Sequence, residues 1–395
     1  MADSRPAADD KISRRLIWIV PASLTPTLHI NAFNEPAHEL ARLGWDVTLL
    51  AQGGAGEILP RDFRVRYLPM PRVYVLGQVI YHLFVMADVA KNWKSTDVVY
   101  FHQESALFIL PLRVLRWLIP GRFPLLVMDT RTVEMVVDTP KAKLRDIYRR
   151  LMNHFANLCA DGQTAITRRL ADYVGIVPSD LLGIWPSGAN RELFGAAIGW
   201  RHWPEESQPL PVIYIGSLYK ERNVMAFCRA VVAACEKGMN FSLTVVGGGD
   251  EFDDLREFAE TSGGRVRVLP SVPHAEVPRV LSGACIGVLP FPDEEKFRIS
   301  SPIKLFEYMA AGMPIIATRI DCHTDVVGGE DFVFWADGSD DAALLQALAR
   351  CWDQRRQLQT LGEHASEVSA NWTWAASARR ISDALSLGLQ RVGRA

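Results

Sequence analysis

The stretch CIGVLPFPDEEKFRISSPIKLFEYMAAGMPIIAT, residues Cys285–Thr318, reads as a strand, a charged loop, a helix and a second strand. The apolar residues of its helical part recur at the spacing of a helix that packs on a sheet: Leu305, Phe306, Met309 and Ala310. Gly312 follows them, at the position where a glycine commonly ends a helix. A strand, a helix and a second strand in this order are typical of a parallel, doubly wound α/β sheet.

The same alternation runs along the whole chain. Strand-like runs in the first half are RLIWIV, WDVTLLA, VRYLPM, DVVYFHQ, PLLVMDT and LLGIWP, and in the second half PVIYIGSL, FSLTVVGGG, RVRVLP, CIGVLPF, MPIIAT and FVFWA. Because a single core stops growing at about 250–300 residues, the 395 residues predict two such domains. We place them at residues 1–185 and 209–370, with a Pro-, Gly- and Trp-rich hinge at 186–208 and a C-terminal helix within 371–395.

Composition excludes several classes of protein. With 49% hydrophobic and 22% charged residues and a net charge of −2, the chain is neither disordered nor collagenous. Its six cysteines form no C-x-x-C pair, which favours reduced thiols.

The polar N-terminus lacks the apolar region of a signal peptide, and the longest apolar stretch, Ala106–Gly121, contains Arg113 and Arg116. We therefore expect a cytoplasmic protein with no transmembrane segment, and no basic, aromatic-rich run suggests nucleic-acid binding.

The start of the helix in Cys285–Thr318 has the features of an anion site. Ser301 is a plausible N-cap, and Pro302 suits the first helical position. The free amides of Ile303 and Lys304 and the positive end of the helix dipole would then face a phosphate, and the Lys304 ammonium would add a charge. These residue types at this spacing predict a phosphate-binding turn.

Glu307 lies on the same helix face as Lys304, where a carboxylate is placed to accept both hydroxyls of a ribose. The ordinary alternative is a surface ion pair. Two loops favour a ligand site: Gly216 follows a strand and permits close backbone approach, and Arg222 offers a guanidinium fork to a diphosphate. The glycine run Gly247–Gly249 is weaker evidence, because such runs more often form tight turns.

Several of these motifs resemble those of one family. IWPSGANRELF (Ile184–Phe194) is similar to the hinge motif P-x-G-v-d-x-x-x-F, and GSLYKERN (Gly216–Asn223) to G-r-L-x-x-x-K-G. SPIKLFEYMAAGMPIIAT resembles the donor-site helix, and NWTWAASARRISDAL (Asn371–Leu385) the final helix, of glycosyltransferase family 4. The resemblance, which covers the chain from Trp185 onward, implies a GT-B fold with two Rossmann-like domains facing a central cleft. It also implies an acceptor-binding first domain and a nucleotide-sugar-binding second domain.

The sequence departs from the family pattern at several positions. The family's E-x7-E pair falls on Ile299 and Glu307, so the ribose-holding glutamate is kept and the first glutamate is lost. Ser217 replaces an arginine and Arg222 stands at the lysine position, so that Lys304 is a candidate to restore the missing charge. The Ser-Ser-…-Lys and Gly-Ser-Leu stretches are similar to the glucuronosyltransferase of xanthan assembly. The predicted donor-binding set is Gly216, Ser217, Arg222, Ser300, Ser301, Ile303, Lys304 and Glu307.

The predicted chemistry is departure of a nucleoside diphosphate, with its growing charge stabilised by Arg222, Lys304 and the helix start. The sequence has no D-x-D motif to hold a divalent ion, so we expect no metal and no cofactor other than the donor. In the first domain, the candidates for a catalytic base are His102, Asp129 and Glu134. The same polar side chains are equally suited to binding the acceptor sugar or, for Asp129, to capping a helix.

These residues and the resemblance together predict a glycosyltransferase that moves a sugar from a UDP-type donor to a lipid-linked or polysaccharide-precursor acceptor, as in exopolysaccharide biosynthesis. The segment Lys141–Phe155 has the pattern of a basic amphipathic helix on the inner face of a membrane, through Lys141, Lys143, Arg145, Arg149 and Arg150. An ordinary solvated helix explains that pattern equally well. Two other functions stay open: a nucleotide-sugar-binding protein without turnover, and a sugar-nucleotide epimerase.

Overall fold

The computed structural model describes residues 14–24, 31–53, 62–71, 74–118, 121–131, 147, 151, 155 and 157–393. The chain divides into two compact units. The first consists of Met1–Ala165, Val174–Ile184 and Ala378–Ala395, and the second of Ile166–Tyr173 and Trp185–Ser377. Within the described residues no helix has both the length and the apolar character that crossing a bilayer requires.

The first unit is built on a seven-stranded parallel sheet with the strand order β3-β2-β1-β4-β5-β6-β7. Its strands are β1 (Arg15–Ser23), β2 (Asp46–Gln52), β3 (Arg64–Leu68), β4 (Val98–His102), β5 (Leu125–Thr130), β6 (Gly162–Ala165) and β7 (Leu181–Ile184). Its helices include α1 (Asn31–Arg42), α2 (Tyr74–Asn92) and α3 (Ala106–Leu118). The strand order reverses between β1 and β4, which is where doubly wound sheets bind ligands.

The second unit has a six-stranded parallel sheet with the order β10-β9-β8-β11-β12-β13. These strands are β8 (Leu210–Ser217), β9 (Phe241–Gly248), β10 (Val266–Leu269), β11 (Ile286–Leu289), β12 (Ile315–Thr318) and β13 (Val333–Ala336). All six match apolar runs of the sequence. Here the order reverses between β8 and β11, so the carboxyl ends of these two strands form the switch point.

Helices surround the second sheet and bury a continuous core against it. The unit also contains α4 (Arg168–Tyr173). The helices that contribute to the core are α5 (Arg191–Trp200), α6 (Val224–Glu236), α7 (Phe252–Thr261), α8 (Val277–Ser282), α9 (Glu295–Arg298), α10 (Ile303–Ala310), α11 (Asp321–Val327), α12 (Asp341–Asp353) and α13 (Leu358–Val368). The predicted helix in Cys285–Thr318 is α10, between β11 and β12, and Gly312 follows it with a φ of 65°.

The segment 186–208, which the sequence suggested as a hinge, contains α5 and belongs to the second unit. Asn190 caps this helix by accepting a hydrogen bond from the Leu193 amide (3.0 Å), and Phe194 and Ala197 are buried in the core of the second unit. The last helix, α14 (Trp374–Arg391), begins in the second unit, and its residues from Ala378 onward belong to the first.

Candidate functional site

The helix α10 starts one residue later than the sequence suggested. Pro302 takes the N-cap position in an extended conformation, with φ −72° and ψ 108°. The prediction that Ser301 caps the helix is wrong, because its hydroxyl instead accepts a hydrogen bond (3.0 Å) from the Ser187 amide. Among the described residues, the amides of Ile303 and Lys304 have no hydrogen-bond partner. An anion site at a helix start needs such amides.

Glu307 is held through both carboxylate oxygens. Oε2 lies 2.7 Å from Nζ of Lys304, and Oε1 lies 3.3 Å from Nε2 of His274. The Glu307 side chain is only 4% exposed, against 19% for Lys304 and 24% for His274. Burial raises the pKa of the Glu307 carboxyl, but Lys304 and His274 lower it further, so that it lies below its usual value. The carboxylate is therefore charged at neutral pH.

The end of β8 lies against Lys304. A Cβ atom at Gly216 would stand 3.8 Å from Cε of Lys304 and 3.4 Å from the hydroxyl of Tyr214. That hydroxyl donates to the carbonyl of Ser217 (2.9 Å). The hydroxyl of Tyr308, on α10, accepts a hydrogen bond from the Ile215 amide (3.1 Å). The Tyr308 bond joins α10 to the carboxyl end of β8, at the switch point of the second sheet.

Arg222 packs on aromatic rings. Its guanidinium carbon lies 5.0 Å from the ring centroid of Phe291 and 5.2 Å from that of Phe297, and these two rings stack with centroids 4.9 Å apart. Within the described part of the chain, the buried Nε of Arg222 has no hydrogen-bond partner. Phe291 lies just after β11, so Arg222 is fixed beside the loop that leads into α10.

The glycine run at the end of β9 has a structural role. A Cβ at Gly247 would lie 1.8 Å from the carbonyl oxygen of Gly216, and one at Gly249 would lie 2.2 Å from that of Leu218. No real Cβ approaches a backbone oxygen so closely. The run therefore lets two chain segments pack backbone to backbone and sets the position of Gly216.

The position of the lost glutamate is apolar and buried. Ile299 is 4% exposed, and its carbonyl accepts a hydrogen bond from the Thr167 hydroxyl (2.7 Å). The neighbouring Ser300 hydroxyl donates to the carbonyl of Phe297 (2.8 Å). A donor sugar that carries a carboxylate, such as a uronic acid, would call for one further cation, and the two cations nearby in the chain, Arg298 and Lys296, both form ion pairs. Arg298 pairs with Asp293 (2.6 Å), and Lys296 pairs with Glu221 (2.9 Å) and Glu294 (3.0 Å).

In the first unit, two of the three candidate bases are described. His102 ends β4 and is paired in register with Asp129 of β5. Asp129 is 1% exposed, accepts a hydrogen bond from Thr164 (2.9 Å) and lies 3.8 Å from Nε of Arg131. Glu134 lies outside the described residues. The polar cluster stands at the carboxyl ends of neighbouring strands, as the sequence suggested.

His102 is an uncharged imidazole in this cluster. Burial and, to a smaller extent, the nearby Arg131 guanidinium lower its pKa to about 4. Its Nδ1 is buried and has no hydrogen-bond partner within the described residues. An uncharged ring with a free nitrogen can accept a proton, although a pKa this low makes it a weak base.

Sequence reasoning missed His274. It lies in the short 3₁₀ turn His274–Glu276, 33 positions before Glu307 in the chain. The turn lies between β10 and α8, and its contact with α10 is a tertiary one. No local spacing in the sequence signals this contact. The described part of the chain contains no group of three or more His, Cys, Asp or Glu side chains placed to hold a metal ion.

Residues 210–354 match the family model described as glycosyl transferases group 1. This match lies within the second unit. The curated D-inositol 3-phosphate glycosyltransferase of Corynebacterium diphtheriae is 27% identical over 261 residues, which cover 62% of this chain and 59% of that protein. A homologue of the same name from Corynebacterium glutamicum is 26% identical over 259 residues, covering 62% of this chain and 60% of that protein. The chain thus aligns with less than two thirds of the length of these curated relatives.

Solved structures share the fold of this chain. The sucrose-phosphate synthase of Thermosynechococcus elongatus superposes with a TM-score of 0.74 at 18% identity, covering 97% of this chain and 100% of that one. Anabaena Alr3699/HepE, solved with UDP and glucose, gives a TM-score of 0.71 at 16% identity, covering 94% and 99%. The GT-B fold class and the resemblance to GT-B glycosyltransferases are confirmed. The similarity to the xanthan enzyme stays a prediction.

Proposed function

We propose that this chain is a glycosyltransferase that takes a sugar from a nucleoside diphosphate donor of the UDP type. The observation that carries the proposal is the cluster of Lys304, Glu307 and His274 beside Gly216, within the family-matched domain. Glu307 accepts the ribose hydroxyls, while Lys304, Arg222 and the amides at the start of α10 bind the diphosphate. The structures of Alr3699/HepE with UDP and with UDP-glucose support the choice of nucleotide.

The proposed chemistry is electrostatic. As the bond between the anomeric carbon and the diphosphate breaks, negative charge grows on the phosphate oxygens. In this proposal Arg222, Lys304 and the free amides of α10 stabilise that charge. We propose that no metal ion takes part, so UDP release should continue at an unchanged rate in excess chelator. A rate that falls on chelation and returns with a divalent cation would overturn this part.

The acceptor side is assigned to the first unit. His102 and Asp129 lie at the carboxyl ends of β4 and β5, where a parallel sheet presents its ligands. We propose a hydroxyl acceptor, on a lipid-linked or polysaccharide-precursor sugar, that is bound and deprotonated there. The Corynebacterium relatives are named for an inositol phosphate, which is a different class of acceptor. An acceptor assay decides between the two classes.

A membrane surface is the proposed setting of the reaction, with the protein on its cytoplasmic side. The basic segment Lys141–Phe155 lies outside the described residues except for three positions, and of these Ile147 and Leu151 are 56% and 51% exposed. On α3, a row of apolar side chains is also exposed: Leu107, Val114 and Leu118. Exposed apolar residues beside basic ones favour an anionic bilayer. Replacing the five cations of the segment by glutamine should release the protein from anionic vesicles, and unchanged binding would contradict this part.

The experiment that tests the central proposal is release of free UDP from a panel of UDP-sugars, with and without acceptor. A donor at 100 times its Kd should first stabilise the fold by about 2.7 kcal/mol in thermal shift. Turnover by the unaltered chain and its loss in Lys304→Ala and Glu307→Gln are expected. The buried Ile299 favours one rival, a nucleotide-sugar-binding protein without turnover. Tight UDP binding with no release from any donor would establish that rival instead.

A further inference from the structure

His274 makes a contact that no motif of the donor site includes. Its Nε2 lies 3.3 Å from Oε1 of Glu307, on the opposite carboxylate oxygen from Lys304. The edge of its ring packs on Phe194 of α5, with centroids 5.5 Å apart and planes inclined at 64°. Phe194 is 1% exposed and belongs to the core of the second unit. The imidazole is therefore fixed by packing as well as by its hydrogen bond.

Lys304 has two possible tasks that compete. In this structure it neutralises Glu307, yet it also stands at the start of α10 beside Gly216, where the diphosphate is proposed to bind. An ammonium that turns toward a diphosphate weakens its bond to Glu307. The carboxylate is only 4% exposed, and a buried carboxylate without a partner is strongly destabilised.

We propose that His274 is the positioning residue for ribose recognition. It holds the Glu307 carboxylate in place and partly compensates its charge while Lys304 binds the diphosphate. The ribose hydroxyls then donate to a carboxylate that is already oriented. This inference rests on the proposed function, because it assumes that Glu307 binds the ribose.

The test compares two ligands that differ only in the ribose hydroxyls, UDP and 2′,3′-dideoxy-UDP, by calorimetric titration. Two replacements of His274 separate its hydrogen bond from its bulk. His274→Gln places an amide donor near the position of Nε2, whereas the amide of His274→Asn ends short of Glu307. His364→Gln is the matched control, since His364 pairs with Asp331 on the surface of the same unit.

The unaltered protein and the control should bind UDP about tenfold more tightly than the dideoxy nucleotide, as expected for hydrogen bonds to a charged group. His274→Asn should reduce that ratio to about twofold, mainly by weakening UDP, and His274→Gln should keep most of it. A ratio in His274→Asn equal to that of the unaltered protein overturns the inference and leaves the proposed function intact.

A different result overturns the proposed function. If the unaltered protein binds both nucleotides equally well, Glu307 does not recognise the ribose, and the role of His274 falls with it. A third result concerns the two variants. If His274→Gln loses the preference for UDP over the dideoxy nucleotide as fully as His274→Asn, and both variants stay folded, then the imidazole ring and not its hydrogen bond is required for that preference. That outcome also overturns the inference.

Discussion

Nζ of Lys304 lies 2.7 Å from Oε2 of Glu307, and the two residues are one helical turn apart on α10. Pairs at this spacing are usually solvated and contribute little to stability. Here the carboxylate is 4% exposed, and His274 holds its second oxygen. The pair is thus part of a largely buried cluster, in which removal of one partner leaves a charge with little access to water.

Lys304→Ala should destabilise the second unit, because it leaves the Glu307 carboxylate with His274 alone. Breaking a fully buried pair costs about 3–5 kcal/mol, and the partial exposure of Lys304 reduces our expectation to about 2 kcal/mol. Urea unfolding measures the change. The matched control is Arg229→Ala, which removes an exposed pair with Asp341 (2.6 Å) and should cost less than about 1 kcal/mol. Equal losses in the two variants would contradict the buried-cluster interpretation.

Glu307→Gln keeps the shape of the side chain and removes its charge. It should weaken UDP binding about tenfold or more, because hydrogen bonds from ribose hydroxyls to a carboxylate are stronger than those to an amide. Calorimetric titration with UDP measures the change. The control is Gln208→Glu, at an exposed position of the same unit. It changes the net charge of the protein by one unit in the opposite direction and should leave UDP affinity unchanged. Unaltered affinity in Glu307→Gln would remove Glu307 from the donor site.

Gly247→Ala should both destabilise the protein and weaken UDP binding. Its methyl group would lie 1.8 Å from the Gly216 carbonyl oxygen, so the ends of β8 and β9 must move apart. Overpacking of this kind costs about 1–3 kcal/mol or more, and it displaces Gly216 from Lys304. Gly248→Ala is the matched control, because its methyl group meets only the Ser271 hydroxyl at 3.3 Å. Thermal unfolding and UDP titration should separate the two variants, and equal behaviour would contradict the packing argument.

Apolar runs predicted all six strands of the second sheet, because its central strands are largely buried and rich in Val, Ile and Leu, and even the edge strand β10 keeps Val266, Val268 and Leu269. In the first unit β6, Gly162–Ala165, was missed. Its sequence GQTA is short and largely polar, yet all four residues are buried between β5 and β7. There Gln163 donates to the half-buried Asn157 (2.6 Å) and Thr164 to the buried Asp129 (2.9 Å), contacts that only the tertiary structure reveals.

The candidate site was predictable where it depends on local spacing. Lys304 and Glu307 are three residues apart, so any helix over this stretch brings them together. Ser301 and His274 depend on segments distant in the chain. The Ser301 hydroxyl accepts a hydrogen bond from the Ser187 amide instead of capping α10. His274, in the turn between β10 and α8, contacts Glu307 only in the folded chain. Periodicity and motif spacing contain no information on such contacts.

His102→Ala should lower kcat about 100-fold, the contribution expected of a positioned base, and leave UDP affinity unchanged. Because burial holds the pKa of His102 near 4, this residue adds no limb to the pH–rate profile near pH 6.5, where an ordinary histidine titrates. Initial rates from pH 5 to 8 measure this. An undiminished kcat in His102→Ala would mean that His102 only packs in the core and does not act as the base. Asp129 would then be the remaining candidate base among the described residues.

Acid should destabilise the first unit through His82. This residue is stacked on Phe108 at 4.0 Å, and its ring nitrogens bond to the Gln78 carbonyl (2.8 Å) and the Ser105 hydroxyl (2.9 Å). Burial lowers its pKa to about 4, although the bond to Gln78 opposes the shift. Between about pH 6.5 and pH 4 the unfolded chain therefore binds a proton that the folded chain excludes. Stability from this group is complete above pH 6.5 and is lost as the pH falls toward 4.

His82→Gln removes that titration, so its free energy of unfolding should fall less steeply between pH 6.5 and pH 4, by up to about 1.4 kcal/mol per pH unit. Urea unfolding at several pH values measures the slope. Lost packing on Phe108 lowers stability equally at every pH and leaves the slope unaffected. His364→Gln is the control with the opposite sign, because Asp331 raises the pKa of His364 and its stabilisation is present at low pH. Parallel curves for the unaltered protein and His82→Gln would show that His82 is already charged in the fold.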